Sequence, residues 1–391
     1  MRGAVSCFLF FLTAIIVQMY AAEITQTGIR TSQYGIIPQP LPRGWHHAIY
    51  TMNTYFPGTQ PTAIITAGEF WDPDECHCNF PNDQGYPTDY LSYEDDEDLL
   101  EDYLSYFDTA GIKVYLQVEL GEADVKTVTD IVLERYDNHS CVIGFGIDIE
   151  WYECYSTPWG NKVSDALAEQ WEGWVKAHNS NYILFLKHPN RTPTHFPPTY
   201  RGEIIFVNDC EGRTQMNDSA GFNDYENDFL GTMQTFAEYF YPSPVIYQIG
   251  YPSIEELWQN FDPKPKVIGE DLREICGTDQ ELGVFWVDFG MEGVLPHNNN
   301  WIPQDWPTGI IFHDYSKHSA GSFTLNPRQK CSLTIFSLNG RILRSVYGFG
   351  DDIDRLISSW SRKSTELHSG VVIIQIQQGK QSLLTKGYTH K

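Results

Sequence analysis

Short β-rich runs alternate with amphipathic helical stretches from about residue 46 to residue 290, and this alternation restricts the possible folds more than any other feature. Most runs are almost continuously apolar, as in residues 204–207 (Ile-Ile-Phe-Val), which is typical of parallel strands covered on both faces. Alternation repeated about eight times predicts an α/β fold, a (β/α)8 TIM barrel. The candidate strands are 46–51, 62–67, 112–119, 142–150, 182–187, 203–208, 244–249 and 283–288.

Helical spacing of apolar residues occurs between several of these runs. The candidate helices are 94–109, 122–136, 164–178 and 224–240, and Gly111 is expected to end the first of them. No obvious helix separates residue 51 from residue 62, so the first two strands are the least well defined.

The two ends of the chain differ from this central region. Met1 and Arg2 precede an apolar run from Ala4 to Val17, and small residues follow, which is typical of a secretory signal peptide over residues 1–22. We expect the barrel to occupy residues 23–315. Residues 316–391 lose the helical spacing and show four β-like runs, 331–336, 341–346, 371–377 and 381–386, which predict a small β-sandwich domain.

Composition narrows the class of partner. The formal net charge is −25, which argues against nucleic acid and anionic membranes as partners. Hydrophobic residues make up 41% of the chain, enough for a packed core, and beyond the N-terminal run no stretch is long enough to span a bilayer. No phosphate-binding glycine loop or dinucleotide fingerprint occurs, so no cofactor is expected. We expect a secreted monomer.

The segment 142–151 (Val-Ile-Gly-Phe-Gly-Ile-Asp-Ile-Glu-Trp) contains the most informative motif. Side chains alternate along a strand, so Asp148 and Glu150 are expected on one face, at the carboxyl end where barrel active sites are built. Two carboxylates this close do not both ionise easily, and a carboxyl group that keeps its proton near neutral pH suits a general acid.

This strand resembles that of family 18 glycoside hydrolases, the chitinases and endo-β-N-acetylglucosaminidases, whose fourth strand reads D-G-x-D-x-D-x-E. Asp148 and Glu150 match its last two acidic residues, whereas Ile143 and Gly146 replace the first two. The resemblance implies that Glu150 protonates the glycosidic oxygen. It also implies that the acetamido oxygen of the substrate attacks the anomeric carbon, while Asp148 orients the acetamido group, with retention of configuration.

Other strand ends resemble the same family loosely. The resemblance implies a sugar platform at Trp286, contacts to the N-acetyl group at Gln248 and Tyr251, and further polar contacts at Asn208 and Asp209. Separately, Glu69 ends a strand and is a candidate carboxylate at the mouth of the barrel. These residues would bind an oligo- or polysaccharide that contains N-acetylglucosamine.

Three alternatives stay open at this point. Glu119 or Asp288, which also end predicted strands, could be the nucleophile of an ordinary two-carboxylate glycosidase. The same DxE pair occurs in family 25 lysozymes, which would make peptidoglycan the substrate. The loss of two motif aspartates is also compatible with a catalytically weak, glycan-binding barrel.

The expected mature chain has an odd number of cysteines, which implies at least one free thiol or an intermolecular bridge. Seven of the eight cysteines remain once Cys7 leaves with the signal peptide, and Cys76 and Cys78 form a Cys-x-Cys pair in a predicted loop. Disulfides from this pair are favoured over a metal site, because no second ligand pair at zinc spacing follows. The expected partners are Cys141, Cys154, Cys210 and Cys276, and the sequons at Asn138, Asn190 and Asn217 would permit glycosylation.

The C-terminal region has its own resemblance. Asn339 and Gly340 give a strong two-residue hairpin pattern within residues 332–343. Together with residues 367–387, this segment resembles the C-terminal sorting and attachment domains of secreted Bacteroidetes-type proteins. A generic fibronectin-III-like spacer is the alternative.

Overall fold

The structure is a computed structural model that describes residues 22–36, 39–71, 74–213, 221–277 and 279–297, together with five strands between residues 311 and 389. The segment expected to be a signal peptide therefore lies almost entirely outside the described residues, and export stays a prediction. None of the helices in the described part of the chain is long and apolar enough to cross a membrane.

Eight parallel strands close into a barrel, which confirms the predicted fold class. Strand β1 pairs with β2 on one side and with β10 on the other, so the sheet has no open edge within the barrel. The barrel strands, in spatial order, are β1 (Glu23–Thr31), β2 (Gln60–Trp71), β5 (Lys113–Val118), β6 (Val142–Asp148), β7 (Ile183–Asn190), β8 (Ile204–Arg213), β9 (Val245–Ile249) and β10 (Glu281–Val287).

Helices cover most of the outside of the barrel. Between β7 and β8 the chain crosses without a helix, through residues 191–203, all of which are described. The helices are α1 (Pro42–Tyr55), α2 (Glu101–Ala110), α3 (Val125–Arg135), α4 (Asp165–His178), α5 (Gly231–Phe240), α6 (Glu255–Trp258) and α7 (Lys264–Ile275), and a π-helical turn (Tyr225–Leu230) precedes α5.

The first barrel strand is β1, and the prediction of a strand over 46–51 was wrong. Those residues lie inside α1, whose buried residues Trp45, Ala48, Ile49 and Met52 follow helical spacing. Pro42 stands in the first turn, where its missing N–H costs nothing. Strand β1 escaped prediction because Thr27 and Arg30 are polar although they are buried.

An insertion extends the sheet after β2. Strand β3 (Glu75–Pro81) pairs antiparallel with the end of β2, and β4 (Leu91–Glu94) pairs with β3. The Cys-x-Cys pair, expected in a loop, therefore lies within β3, and both sulfur-bearing residues are buried.

The six cysteines with described side chains are all buried and all free. The expected disulfides among Cys76, Cys78 and the other four are therefore not formed in this structure, and five of the six side chains pack in the hydrophobic core. Of the three sequons, Asn138 is exposed, Asn190 is buried within β7, and Asn217 lies outside the described residues.

The interior of the barrel is filled by side chains. Tyr115 and Phe185 pack edge to face with ring centroids 5.7 Å apart, in an apolar cluster whose buried residues come from six strands. Gly146 is required beside them, because a Cβ atom there would lie 1.9 Å from the Phe185 ring. The space beside Gly146 is therefore occupied by the Phe185 ring, and the cavity described below lies at the carboxyl ends of the strands.

The C-terminal strands form a separate five-stranded sheet. Strands β12 (Lys330–Ser337), β13 (Ile342–Phe349), β14 (Gly370–Gln378) and β15 (Gln381–Thr389) cover the four predicted β-like runs, and β11 (Ile311–Phe312) pairs with β15. All pairings are antiparallel. The second layer that a sandwich requires stays a prediction, since the intervening segments lie outside the described residues.

Candidate active site

A cavity of about 460 Å³ opens at the carboxyl ends of the barrel strands. Five barrel strands or the turns that directly follow them contribute charged side chains to its wall, which is where barrel enzymes assemble their catalytic groups. The described residues that line it are Arg30, Tyr34, Glu119, Asp148, Glu150, Trp151, Lys187, Asp209, Glu211, Tyr251, Pro252, Ser253 and Phe289.

Glu150 and Asp148 both face this cavity, although they do not belong to one strand as expected. Strand β6 ends at Asp148, and Glu150 lies in the 3-10 turn that follows, 149–151. Burial, together with the neighbouring Asp148 carboxylate, raises the pKa of Glu150 well above its usual value. Among the described residues, none hydrogen-bonds the Glu150 side chain, so its proton is available to a ligand.

Lys187, at the end of β7, joins two of the carboxylates. Its Nζ donates to Asp148 Oδ2 at 2.5 Å and lies 3.3 Å from Asp209 Oδ2. Burial lowers the pKa of Lys187, but the two carboxylates outweigh this effect and the net shift is upward, so the side chain is an ammonium. The other Asp148 oxygen, Oδ1, is buried and has no hydrogen-bond partner among the described residues.

Strand β8 carries a second acidic pair, Asp209 and Glu211. Burial and nearby Glu211 and Asp148 raise the pKa of Asp209 to about 7, although Lys187 opposes the shift. Ser253 Oγ donates to Glu211 Oε1 at 2.8 Å. Cys210, between the two acids, has a φ of 61°, in the left-handed region that non-glycine residues rarely occupy. Strained backbone of this kind concentrates at functional sites.

Arg30 organises the opposite wall. It donates to Tyr34 Oη at 2.8 Å and to Glu119 Oε1 at 3.2 Å, and Tyr34 Oη donates to the same Glu119 oxygen at 2.5 Å. Asp288 Oδ1 lies 4.0 Å from Arg30 Nη1, beyond hydrogen-bond distance. Burial raises the pKa of Glu119 and of Asp288 above their usual values, and Arg30 opposes both shifts.

Aromatic side chains complete the cavity. Trp151 follows Glu150 directly and is partly exposed. Phe289 lies near Tyr34, with ring centroids 5.7 Å apart, and near Tyr251 at the same distance. Flat aromatic faces next to polar groups are suited to sugar rings, which present C–H groups on one face and hydroxyl groups at the edge.

Trp286 was expected to be a sugar platform, and the structure places it elsewhere. It is fully buried in the core outside the barrel, packs edge to face on Trp258, and donates its indole N–H to the Gly290 carbonyl at 3.0 Å. Side chains alternate along β10, so with Phe285 inside the barrel Trp286 points out toward the helices. The expectation for Trp286 was wrong for that reason.

Other expected contacts are divided. Asp209 and Tyr251 line the cavity. Asn208 is buried behind the cavity, where its amide nitrogen donates to the Asn190 carbonyl and its amide oxygen accepts from the Cys210 N–H. Gln248 is fully buried and does not line the cavity. Both were predicted as substrate contacts. Asn208 faces away from the barrel interior because side chains alternate along β8, and Gln248 faces inward but lies too deep in the barrel to reach the described cavity wall.

Glu69 also does not line the cavity. Its Oε1 accepts from the Gln33 N–H at 2.6 Å and from Thr66 Oγ1 at 2.8 Å. Burial raises its pKa to about 7. Its position on β2 fixes the loop after β1, which carries Tyr34, so Glu69 supports the wall of the cavity without facing it.

Sequence reasoning missed Arg30, Lys187 and Glu211 as site residues. A repeat of the Asp-x-Glu spacing at residues 209–211 would have identified Glu211, and Lys187 directly ends the apolar run 184–186. Arg30 offered no such pattern, because its strand was not recognised.

One group of potential metal ligands lies apart from the cavity lining, at Asp108, His139 and Cys141. Hydrogen bonds within the protein account for it: Asp108 is bonded to His139 Nδ1 at 2.7 Å and accepts from the Cys141 N–H at 2.7 Å. This group fastens the turn before β6 to helix α2.

Fold and site together define a closed parallel (β/α) barrel. A cavity at the carboxyl ends of its strands contains a cluster of carboxyl groups and two cationic side chains, those of Arg30 and Lys187. Sequence comparisons with protein families and with curated proteins find no match for this chain.

Several solved structures resemble the chain in fold. One is an FMN-binding β-glucuronidase from Facaelibacterium prausnitzii, at a TM-score of 0.39 and 9% identity, covering 93% of this chain and 56% of that one. Another is an endo-1,4-β-mannanase from Rhizomucor miehei, at a TM-score of 0.40 and 10% identity, covering 71% and 89%. A third is a putative β-galactosidase from Bacteroides fragilis, at 0.34 and 8%, covering 94% and 55%.

The chain thus spans about half the length of the glucuronidase and galactosidase chains that it resembles. At these TM-scores the likeness decides neither substrate nor mechanism.

Proposed function

We propose that this protein is a glycoside hydrolase and that Glu150 is its general acid. The observation that supports this most directly is the state of Glu150: a carboxyl group with a raised pKa, facing a cavity and free of hydrogen bonds from the described residues. A carboxyl group that keeps its proton near neutral pH can protonate a glycosidic oxygen and so release the leaving sugar as an alcohol.

In the mechanism that we favour, the substrate supplies the nucleophile. The acetamido oxygen of an N-acetylated sugar attacks the anomeric carbon as the glycosidic bond breaks and Glu150 gives its proton to the leaving oxygen. Asp148 Oδ1 would accept a hydrogen bond from the acetamido N–H. This oxygen is suited to that role because it is buried and has no other hydrogen-bond partner among the described residues. Water then opens the cyclic intermediate, and Glu150 recovers its proton from that water.

Tyr251 supports the same assignment. Its hydroxyl group is buried at the cavity, and burial, together with Asp209, raises its pKa well above the usual value. A neutral tyrosine keeps its O–H as a donor. We propose that it donates to the acetamido oxygen before attack, so that the nucleophile is held beside the anomeric carbon.

A second candidate mechanism rests on the acids of β8. Asp209 and Glu211 line the same cavity as Glu150 and contribute to its raised pKa. Ordinary glycosidases use two carboxyl groups on opposite sides of the scissile bond. With Glu211 as the second group, the enzyme would act on sugars that lack an acetamido group.

Substrates and inhibitors separate the two mechanisms. We expect hydrolysis of aryl β-N-acetylglucosaminides or chitin oligosaccharides, and tight binding of a thiazoline that mimics the cyclised acetamido group. Hydrolysis of glycosides without the acetamido group, with no binding of the thiazoline, would favour Glu211. No hydrolysis of any neutral or N-acetylated glycan, together with oligosaccharide binding, would contradict the proposal and leave a binding protein.

A further inference from the structure

Lys187 occupies a position between the two acidic pairs. In the parallel register of β6 and β7 it lies directly opposite Asp148, and β8 follows on the other side. Its Nζ lies 2.5 Å from Asp148 Oδ2 and 3.3 Å from Asp209 Oδ2. The exposed fractions of the three residues are 3%, 1% and 2%, so water does not screen these contacts.

The charges around this ammonium are unequal. Asp148 and Glu150 act on it from β6 and the turn after it, Asp209 from β8, and Arg30 from β1 across the barrel. Glu211, also on β8, acts on Asp209 and Glu150. A buried charge without a partner is strongly unfavourable, so this ammonium is the counter-charge that the surrounding buried carboxyl groups share.

We infer that Lys187 is a positioning residue, which holds the Asp148 carboxylate turned toward β7 and supplies the counter-charge that both acidic pairs share. Asp148 Oδ2 is held by the ammonium, and only Oδ1 remains to meet a ligand. The second acidic pair is linked to the first through the same Nζ atom. Lys187 itself transfers no proton, because both carboxylates keep it charged.

The effect of this inference on kinetics rests on the proposed glycosidase activity. Its effect on the protonation of the buried carboxyl groups does not. In Lys187→Met, two buried carboxylates lose their counter-charge. One of the buried carboxyl groups then takes up a proton at higher pH than before. The acidic limb of the kcat/KM profile is expected to move up by about one pH unit or more, while Lys187→Arg stays near the wild-type profile.

A double-mutant cycle tests whether Lys187 acts through Asp148. We expect Lys187→Met to lower kcat strongly in the wild-type background, and by less than about threefold in an Asp148→Asn background. Equal loss in both backgrounds would overturn the inference, because it would mean that Lys187 acts independently of Asp148. Lys113→Met is the matched control, since Lys113 begins β5 at the other end of the barrel and its Nζ donates to the Ser140 carbonyl.

Thermal unfolding of the full chain provides a readout without activity. The decrease in Tm caused by Lys187→Met should be large at pH 8 and smaller at pH 5, where the uncompensated carboxyl groups are neutral. An equal decrease at both values would contradict a role for the charge. If the wild-type protein hydrolyses no glycan, the proposed function fails, and this pH dependence still decides whether Lys187 supplies the counter-charge of the buried carboxyl groups.

Discussion

Phe70, near the end of β2, stacks on Trp151, with ring centroids 4.5 Å apart and 18° between the ring planes. Trp151 follows the proposed acid directly in sequence and lines the cavity. The insertion that extends β2 beyond the barrel therefore fixes an aromatic wall beside Glu150. We propose for this wall the role of sugar platform that the sequence had suggested for Trp286.

We expect Trp151→Ala to raise KM about tenfold or more, with a smaller change in kcat, because stacking on a sugar ring contributes to binding before the bond breaks. Steady-state kinetics on an oligosaccharide substrate measure both constants. Phe70→Leu should raise KM less, since the indole remains but is held less firmly. Unchanged KM in Trp151→Ala would show that substrate does not contact this wall.

Trp286→Ala should have the opposite signature. The indole is fully buried against Trp258, and its removal leaves a large cavity in the core between barrel and helices. We expect a loss of about 3–5 kcal/mol in the free energy of unfolding. Chemical denaturation provides this value, and KM of the remaining folded protein should stay close to wild type. A large rise in KM at unchanged stability would contradict this account and would mean that Trp286 contacts the substrate.

Glu69→Gln should change how stability depends on pH. Burial raises the pKa of Glu69 to about 7 in the folded protein, so its contribution is fully present below its ordinary pKa and is lost as the pH rises toward 7. Glutamine keeps the acceptor oxygen that both hydrogen bonds use and never ionises. We expect the variant to exceed wild type by about 2 kcal/mol at pH 8 and to differ little at pH 4.

Denaturant unfolding at several pH values measures this difference, with Glu134→Gln, an exposed residue of α3, as the control. A variant that is less stable than wild type at pH 8 would mean that the folded protein stabilises the Glu69 carboxylate, contrary to the environment described.

Glu211→Gln separates the two catalytic mechanisms. With the substrate acetamido group as nucleophile, Glu211 lines the cavity without forming a bond, and kcat should fall by less than about tenfold. With Glu211 as nucleophile, kcat should fall by several orders of magnitude, and added azide should restore turnover as a glycosyl azide. Product analysis by NMR distinguishes these outcomes, and Ser253→Ala controls for the loss of the Ser253–Glu211 hydrogen bond.

The fold was predictable where burial and periodicity agree. Seven of the eight barrel strands overlap the apolar runs read from the sequence, because parallel strands covered on both faces are apolar throughout. Strand β1 is the exception, since Arg30 points into the polar upper part of the barrel and Thr27, on the opposite face, is also a buried polar residue. Helix α1 was read as a strand because its apolar residues form a short run when helical spacing is not considered.

The site was predictable only as far as local spacing extends. Asp148 and Glu150 lie two residues apart, so one strand end identifies both. Lys187 and Arg30 contact carboxylates from other strands. Their role therefore depends on which strands lie next to or across from one another in the closed barrel, and local sequence spacing does not contain that information. The secretory signal peptide, the glycan, and the attachment role of the C-terminal sheet stay predictions.

The central claim is that Glu150 is the general acid, and the most direct test compares Glu150→Gln with wild type on N-acetylglucosaminides with good and poor leaving groups. We expect kcat on the poor leaving group to fall by several orders of magnitude, and much less on an activated aryl leaving group that needs no proton. Glu134→Gln should behave as wild type on both. Equal activity of Glu150→Gln and wild type on the poor leaving group would contradict the account.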